Sequence, residues 1–226
     1  RPGVKNKLGA LADMTKYPFA ALNAACLNEG AYIHIKAGTR LEKPLALISH
    51  VTVVDRAELY NLHHIVEIDE NATAEVVEYY GYTGAPKSSY LVNIVNEITV
   101  AAGASLRHYK FQDEAFKAGH LALNTVKVAA GGLYKSFCLQ KGADLARNET
   151  QVCLAEENAA AEVDAAYKMN GWATIDTTTD IEHLKSGTTS SQLIKGVVGG
   201  QAKGVFQGKI HIAPDAVKTE GYQLHK

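Results

Sequence analysis

Three cysteines, nine histidines and one acidic run are the residues of this chain that could support chemistry. The thiols are Cys26, Cys138 and Cys153. Cys138 and Cys153 lie among apolar neighbours in strand-like patterns, and no basic residue stands within two positions of either to lower the thiol pKa. Thiolates are natural ligands of iron–sulfur clusters, but this setting favours small buried core residues. Cys26 is predicted on the apolar face of a helix, also in a structural role.

The histidine pair His63-His64, with Glu67 nearby, comes closest to a metal site. Adjacent residues of a strand point to opposite faces, so the two imidazoles cannot share one ion without a bulge. Neither His-x-His nor His-Glu-x-x-His occurs in the chain. His183 and His211 are interpreted as hydrogen-bonded strand residues. We therefore expect this chain to bind no metal ion in stoichiometric amount.

The acidic run extends from Asp176 to Glu182. Strand alternation places Asp176, Asp180 and Glu182 on one face and Ile181 on the other. Paired carboxylates on the flank of a β-helix could cleave polysaccharides by general acid and base catalysis or with Ca²⁺. A carbohydrate-active enzyme is thus the main enzymatic alternative. The single tryptophan, Trp172, argues against a long aromatic sugar groove, and a solvated acidic edge is the simpler interpretation.

Five closely spaced glycines occupy the C-terminal part of the chain: Gly196, Gly199, Gly200, Gly204 and Gly208. They form neither G-x-x-x-x-G-K-[ST] nor G-x-G-x-x-G, so they do not predict a phosphate-binding loop. We interpret them as turn glycines that separate short strands at residues 193–198, 202–206 and 209–212. Any dependence on a nucleotide should therefore come from a partner protein.

The elements that would position these residues are almost all strands. Tyr17-Pro18 opens a helix that Gly30 is expected to close. Alternating segments rich in Val, Ile, Tyr and Thr follow at residues 31–36, 45–54, 63–68, 73–80, 91–100, 105–112, 121–129 and 133–140. Residues 81–89 are predicted to form a loop that bulges from one coil. We divide the chain into an N-terminal lead-in with its helix, 1–30, and a β-domain, 31–226.

A recurring pair of turn residues favours a parallel β-helix over a propeller or a hairpin barrel. The pair occurs at Asn71-Ala72, Gly103-Ala104, Gly142-Ala143, Asn158-Ala159 and Asp215-Ala216. Asn, Gly and Asp tolerate the left-handed conformation, and a small alanine allows the next coil to stack closely. The intervals are irregular, which indicates an imperfect array of coils.

The composition restricts the class of protein. A net charge of −1 over 226 residues offers no electrostatic surface for nucleic acid or anionic membranes. No run of eighteen apolar residues predicts a membrane span. An odd number of widely spaced cysteines favours a reducing compartment, and we expect a cytoplasmic protein.

Spaced motifs at both ends of the chain resemble the SufB/SufD family of iron–sulfur cluster assembly proteins. The C-terminal motifs are His183, Ser191-Gln192, Lys195-Gly196, Gly204-Val-Phe-Gln-Gly-Lys-Ile210, Asp215-Ala216, Lys218-Thr219 and Tyr222-Gln223. The N-terminal motifs are Tyr17-Pro-Phe-Ala-Ala-Leu-Asn-Ala-Ala25 and Gly38-Thr-Arg-Leu-Glu-Lys-Pro44. The order Val-Phe-x-Gly-Lys from Val205 is typical of the SufD branch. One departure is His183-Leu-Lys-Ser-Gly, where relatives commonly have His-Ala-x-Pro.

The resemblance implies a right-handed parallel β-helix that acts as a non-catalytic scaffold. Members pair with a SufB-like paralogue, and each binds a SufC-like ABC-type ATPase. The resulting SufBCD complex assembles iron–sulfur clusters transiently, and no cofactor is implied for this chain itself. Family members continue on both sides of this core, so we interpret the chain as a core fragment.

The cysteine and histidine implicated in cluster formation, and the helical segment that docks the ATPase, lie beyond Tyr222-Gln223 in the family. We therefore assign no catalytic, cofactor-binding or metal-binding residue. Without a SufB-like partner, an open end of the β-helix should pair with a second copy, so we expect a homodimer through the C-terminal third.

Overall fold

The computed structural model describes residues 4, 6–52, 55–84 and 87–226. These contain helix α1, Pro18–Ala25, and fourteen strands. The strands are β1 Tyr32–Ile35, β2 Leu45–Val51, β3 Glu58–Ile68, β4 Thr73–Tyr82, β5 Tyr90–Val100, β6 Ser105–Glu114, β7 Ala118–Val128, β8 Leu133–Gly142, β9 Leu145–Leu154, β10 Ala160–Met169, β11 Thr174–His183, β12 Thr189–Val198, β13 Lys203–Ile212 and β14 Glu220–His225.

The strands form two seven-stranded parallel sheets. Sheet A has the order β1-β3-β5-β7-β9-β11-β13, and sheet B has the order β14-β12-β10-β8-β6-β4-β2. Because consecutive strands alternate between the sheets, each coil contributes one strand to each sheet. The chain is therefore a flattened parallel β-helix of about seven coils, which confirms the predicted fold class. No helix in the described ranges is long and apolar enough to cross a membrane.

One left-handed residue per coil turns the chain from sheet A to sheet B. These residues are Gly38, Asn71, Gly103, Gly131, Asn158, Gly187 and Lys218. The backbone ladder continues through the turns, since Asn71 N–H donates to Ala102 O at 3.0 Å and Asn158 N–H to Ser186 O at 3.1 Å. The predicted pairs at Asn71, Gly103 and Asn158 are confirmed.

Two of the predicted turn pairs do not belong to this series. Gly142-Ala143 lies at the opposite edge, between β8 and β9, with φ values of 78° and 60°. In the last coil the left-handed residue is Lys218, with φ 55°, and the Asp215-Ala216 pair precedes it. Both errors have the same cause. A Gly-Ala or Asp-Ala pair also suits the turns from sheet B back to sheet A and other positions within a turn, so the pair alone does not locate the left-handed residue.

The interpretation of Gly196, Gly204 and Gly208 as turn residues was wrong. Gly196 lies within β12, and β13 continues through Gly204 and Gly208. Of the five glycines, Gly199 and Gly200 form a turn, at the junction of β12 and β13. A Cβ at Gly208 would lie 2.4 Å from Oε1 of Gln223, so the glycine makes room for that side chain. Gly196 and Gly204 likewise lie against the ring of Tyr167. These three glycines permit close packing within the coils.

The predicted helix is confirmed, but its end is not at Gly30. Helix α1 ends at Ala25, and the amides of Asn28 and Glu29 already donate to Asn61 O in the first backbone ladder. Residues 53 and 54 of the predicted strand 45–54, and residues 85 and 86 of the predicted loop 81–89, lie outside the described residues. Gly81 and Tyr82 of the predicted loop still belong to β4, and the rest of its described part joins β4 to β5.

Replacing Asn158 tests the requirement for a left-handed turn. Asn158 has φ 57° and is followed by the fully buried Ala159. Asn158→Val should lower the free energy of unfolding by about 1–2 kcal/mol, because a β-branched residue is strained in this region. Asn158→Gly should remain close to the parent, since glycine adopts positive φ without strain. Urea denaturation of both variants measures the difference, and equal stability would contradict the turn geometry.

Candidate functional site

A stripe of buried polar side chains divides the interior of the β-helix. Apolar residues pack in one cluster on each side of it, one around Ile98, Val126 and Val152 and the other around Ile94, Tyr167 and Ile175. The stripe arises from in-register columns: His64, Asn96, Asn124, Thr150 and Thr179 in sheet A, and Glu78, Lys110 and Cys138 in sheet B. All of these side chains are buried.

Glu78 is the anionic centre of the stripe. Its carboxylate lies 2.6 Å from Nε2 of His108, and it accepts hydrogen bonds from Asn96 Nδ2 at 2.8 Å and Tyr80 OH at 2.5 Å. Burial alone would raise the pKa of Glu78, but the attraction and hydrogen bond of the His108 imidazole, with smaller contributions from His64 and Lys110, hold it well below its ordinary value. Glu78 is therefore an ionised, fully coordinated carboxylate inside the fold.

An amide chain extends from Glu78 across sheet A. Asn96 Nδ2 donates to Oδ1 of Asn124 at 2.8 Å, and Asn124 Nδ2 donates to Oγ1 of Thr150 at 3.2 Å. Further along, Gln140 Nε2 donates to Oγ1 of Thr177 at 3.1 Å. These bonds link side chains of both sheets across the interior and fix their rotamers.

Lys110 and Cys138 are register partners on β6 and β8. Lys110 Nζ donates to Oδ1 of Asn148 at 3.1 Å and lies 5.3 Å from the ring centre of Tyr80. Burial lowers the pKa of Lys110. Burial raises the pKa of Cys138 to about 11, despite the adjacent lysine. At neutral pH Cys138 is therefore a buried thiol, which confirms its interpretation as a core residue.

A second carboxylate–imidazole pair lies at the edge of the stripe. Nδ1 of His120 is 2.6 Å from Oε2 of Glu114, and the imidazole meets the Tyr80 ring edge-on at 5.1 Å. Burial lowers the pKa of His120 more than the carboxylate raises it, so the imidazole is neutral. Burial likewise lowers the pKa of His64.

Several buried polar atoms of the stripe have no hydrogen-bond partner among the described residues, namely Nε2 of His64, both ring nitrogens of His120, Oδ1 of Asn96, the Oε1 atoms of Gln112 and Gln140 and Nε2 of Gln192. A cavity of about 20 Å³ lies among His108, Lys110, Asn124 and Cys138. This volume holds about one water molecule. None of the unpartnered atoms lines this cavity, so such a water would contact the lysine, the amides and the hydroxyls around it instead. The stripe can thus hold water and fixed charge, but its thiol is not activated for nucleophilic chemistry.

The remaining candidate residues lie on the outside of the β-helix or have structural roles. His63 and His64 point to opposite faces, as predicted: His63 contacts Asn23 Oδ1 at 3.0 Å and Glu97 Oε1 at 2.7 Å, whereas His64 points inward. His183 is fully buried between Thr188 and Ser190, at 2.9 Å from each hydroxyl. Its structural role is confirmed.

Two of the three cysteines depart from the predicted buried position. Cys26 is exposed at the C-terminal end of α1, because the helix ends at Ala25 and the cysteine is its capping residue. Cys153 is half-buried on the outer face of β9, where Lys127 and Glu182 are its register partners. Alternation places Val152 and Leu154 inside, so the cysteine between them must face outward.

Asp176, Asp180 and Glu182 share the outer face of β11, as alternation predicted. Asp176 binds Arg147 at 2.9 Å, and Asp180 binds Lys209 at 3.2 Å. These carboxylates are therefore engaged by basic side chains of the neighbouring strands. That pairing does not favour a general acid and base pair, and it supports the interpretation as a solvated charged face. Among the described residues no three His, Cys, Asp or Glu side chains are grouped to hold a metal ion.

Comparison with known proteins assigns the fold to a family. Residues 51–226 match the SufBD core domain of the SUF system for FeS cluster assembly. This match covers most of the chain. The chain belongs to the SufBD core family. The predicted resemblance is confirmed.

Relatives of this SufBD core domain are named for iron–sulfur cluster assembly. A SufBD family protein of Synechocystis is 28% identical over all of this chain, and the SufD protein of Escherichia coli is 29% identical over 90% of it. A chloroplastic SufBD family protein of Arabidopsis thaliana is 22% identical over 94%. The matched parts are 51%, 48% and 39% of these relatives. The chain therefore spans about half the length of the first two relatives.

Removing the carboxylate of Glu78 tests the polar stripe. Glu78→Leu should lower the free energy of unfolding by roughly 3–5 kcal/mol, because His108, Asn96 and Tyr80 would lose a buried partner. The control is Glu75→Leu, three residues earlier on the outer face, where a half-exposed ion pair with Arg107 at 3.8 Å should contribute less than about 1 kcal/mol. Urea denaturation measures both, and similar losses would contradict the assigned role.

The buried histidines predict a loss of stability on mild acidification. His64 and His120 have lowered pKa values, so below the ordinary pKa of 6.5 the unfolded chain binds more protons than the folded one. Stability should fall from pH 7 to pH 5 with a slope of up to about 1.4 kcal/mol per pH unit for each such histidine. The variant His64→Gln lacks one of these histidines, so its stability should fall with a slope that is smaller by up to about 1.4 kcal/mol per pH unit. An unchanged slope, measured by urea denaturation at several pH values, would contradict the assignment.

Proposed function

We propose that this chain is the core of a SufD-type scaffold subunit that assembles iron–sulfur clusters together with a SufB-like paralogue and a SufC-like ABC-type ATPase. The family match over residues 51–226 carries this proposal. The similarity to a protein named SufD, at 29% identity over 90% of the chain, favours that branch. The cluster is the cargo of the complex, and this chain is proposed to hold no cofactor of its own.

The side-chain chemistry supports a non-catalytic role. The most deeply buried thiol, Cys138, is kept protonated by burial, and the outer carboxylates Asp176 and Asp180 are bound by Arg147 and Lys209. The interior charges form hydrogen-bonded pairs that stabilise a fixed shape. A rigid solenoid with engaged charges is suited to holding partner subunits in position. The three free cysteines suit a reducing compartment, and we propose the cytoplasm.

The C-terminal third offers a surface for pairing. Its exposed apolar residues surround the end of the β-helix: Val205 on the outer face of sheet A, Val197 and Tyr222 on the outer face of sheet B, and Ile212 at the end of the interior, Tyr222 being 58% exposed. Strands β13 and β14 are the outermost strands of their sheets among the described residues. We propose that this surface binds the SufB-like paralogue and, in its absence, a second copy of the chain. Strand edges and exposed apolar residues are the features that such a contact would cover.

Co-expression with a SufB-like and a SufC-like protein tests the proposal. We expect one complex of all three proteins, with ATP hydrolysis only when the SufC-like protein is present. The chain alone should be a dimer by light scattering at low micromolar concentration, and Tyr222→Asp combined with Val205→Asp should weaken both assemblies at least tenfold. Phe116→Asp, at a 69% exposed turn residue between β6 and β7, is the matched control. Failure to form the three-protein complex would overturn the assignment.

A further inference from the structure

One asparagine of this chain is followed directly by glycine, at Asn170-Gly171. The pair lies in the turn between β10 and β11, and both residues are exposed. The side-chain amide of an asparagine can be attacked by the backbone nitrogen of the next residue, which closes a five-membered ring. Glycine favours this attack, because it has no Cβ to obstruct the nitrogen and its backbone adopts many conformations. The turn therefore carries the dipeptide that suits this reaction best.

The structure places the two reacting groups side by side. Gly171 N–H donates to Oδ1 of Asn170 at 2.8 Å, so the nitrogen lies next to the amide that it would attack. Gly171 has φ 78°, and a Cβ at this position would meet no atom within 4 Å. The exposed amide can therefore rotate to present its face to the nitrogen. Proximity of this kind raises the rate of an intramolecular attack.

The Gly171 nitrogen is also free of the hydrogen bonds that restrain other turns. In the described ranges its N–H donates to the Asn170 side chain and to no backbone carbonyl. Asn71 is an exposed turn residue too, but the amide of the following Ala72 donates to Asp69 O at 3.1 Å. That hydrogen bond has to break before the nitrogen can lose its proton and attack. Asn170 should thus react much faster than Asn71.

Asn170 lies between two hydrogen bonds that join successive turns. Met169 O accepts from Gly199 N at 3.0 Å, and Gly171 O accepts from Gln201 N at 2.7 Å. Opening of the ring can leave the chain running through the side chain of residue 170, which adds one carbon atom to the backbone between these two carbonyls. Because each strand depends on the register of its neighbours, a longer turn would strain the pairing of β11.

We propose that Asn170 is a site of spontaneous deamidation that alters the turn between β10 and β11. The Gly171 nitrogen loses its proton to a base in the solvent and attacks Cγ of Asn170, and the bond from Cγ to Nδ2 breaks as Nδ2 leaves as ammonia. Water then opens the succinimide, adding its hydroxyl to one of the two carbonyls and returning a proton to the nitrogen. The products are aspartate and isoaspartate at position 170, and isoaspartate carries the longer backbone. This chemistry does not depend on the proposed scaffold function.

Incubation of the purified chain at physiological temperature and mildly alkaline pH tests the inference. Trypsin cleaves after Lys168 and Lys185, and Asn170 is the single asparagine or glutamine of the peptide 169–185. We expect this peptide to gain about 1 Da, the difference between an amide and a carboxylic acid. An isoaspartyl methyltransferase should then methylate position 170. The gain in mass should be at least tenfold faster than at Asn71, measured in the same digest.

Two variants separate the reaction from its structural effect. Asn170→Gln should gain no mass at position 170, because its longer side chain would have to close a less favourable six-membered ring. Asn170→Asp carries the new charge on a normal backbone and can still accept the Gly171 N–H, so it should keep the urea midpoint of the parent. The isoaspartate form, separated by chromatography, should unfold at a lower urea concentration.

Three results would contradict the inference. The first is deamidation of Asn170 no faster than that of Asn71, which would show that the folded turn blocks the attack. The second is an equal gain in mass at position 170 of the Asn170→Gln variant. The third is an isoaspartate form that is as stable as Asn170→Asp, since the longer backbone would then leave the turn intact.

Discussion

In-register stacking of the coils is the constraint on which the rest of this structure depends. Every inner strand pairs in parallel with the strand one coil before and one coil after it, so each of its side chains meets the equivalent positions of its neighbours. Side chains at equivalent positions of successive coils therefore form a column, in which each one contacts the next. The turns obey the same constraint, and each has one left-handed residue. A turn that were one residue longer or shorter would shift the following strand by one position and reverse its two faces.

The same stacking makes the polar stripe a collective feature. Glu78 would be costly to bury alone, but His108, Asn96 and Tyr80 reach it from neighbouring columns at 2.5–2.8 Å. Replacing one of these side chains leaves the others without a hydrogen-bond partner in a medium of low dielectric constant. The free energy of unfolding should therefore fall by more than an ion pair on the surface contributes. The stripe thereby ties the two sheets together with directional bonds, in a region where apolar packing alone would permit sliding.

The sequence predicted more of the fold than of the polar stripe. Alternation and the turns at Asn71, Gly103 and Asn158 were sufficient to indicate a parallel β-helix. The pairing of Lys110 with Cys138 was not predictable from local sequence, because they are 28 positions apart and meet only through the register of β6 and β8. Gly208 was misjudged for the same reason, since the side chain that requires a glycine there, Gln223, belongs to the next strand along the chain.

Strand β6 shows why alternation alone misleads at the centre of this protein. Its inward residues are Leu106, His108, Lys110, Gln112 and Glu114, whereas the aromatic residues Tyr109 and Phe111 face outward. A shift by one residue would bury both rings, each contributing about 2 kcal/mol, and would return the lysine to solvent. Leu106 and the stacked hydrogen bonds of the stripe oppose that shift. The polar interior and the outward aromatic residues are thus two consequences of one register, which local hydrophobicity alone would not choose and which the hydrogen bonds of the stripe hold in place.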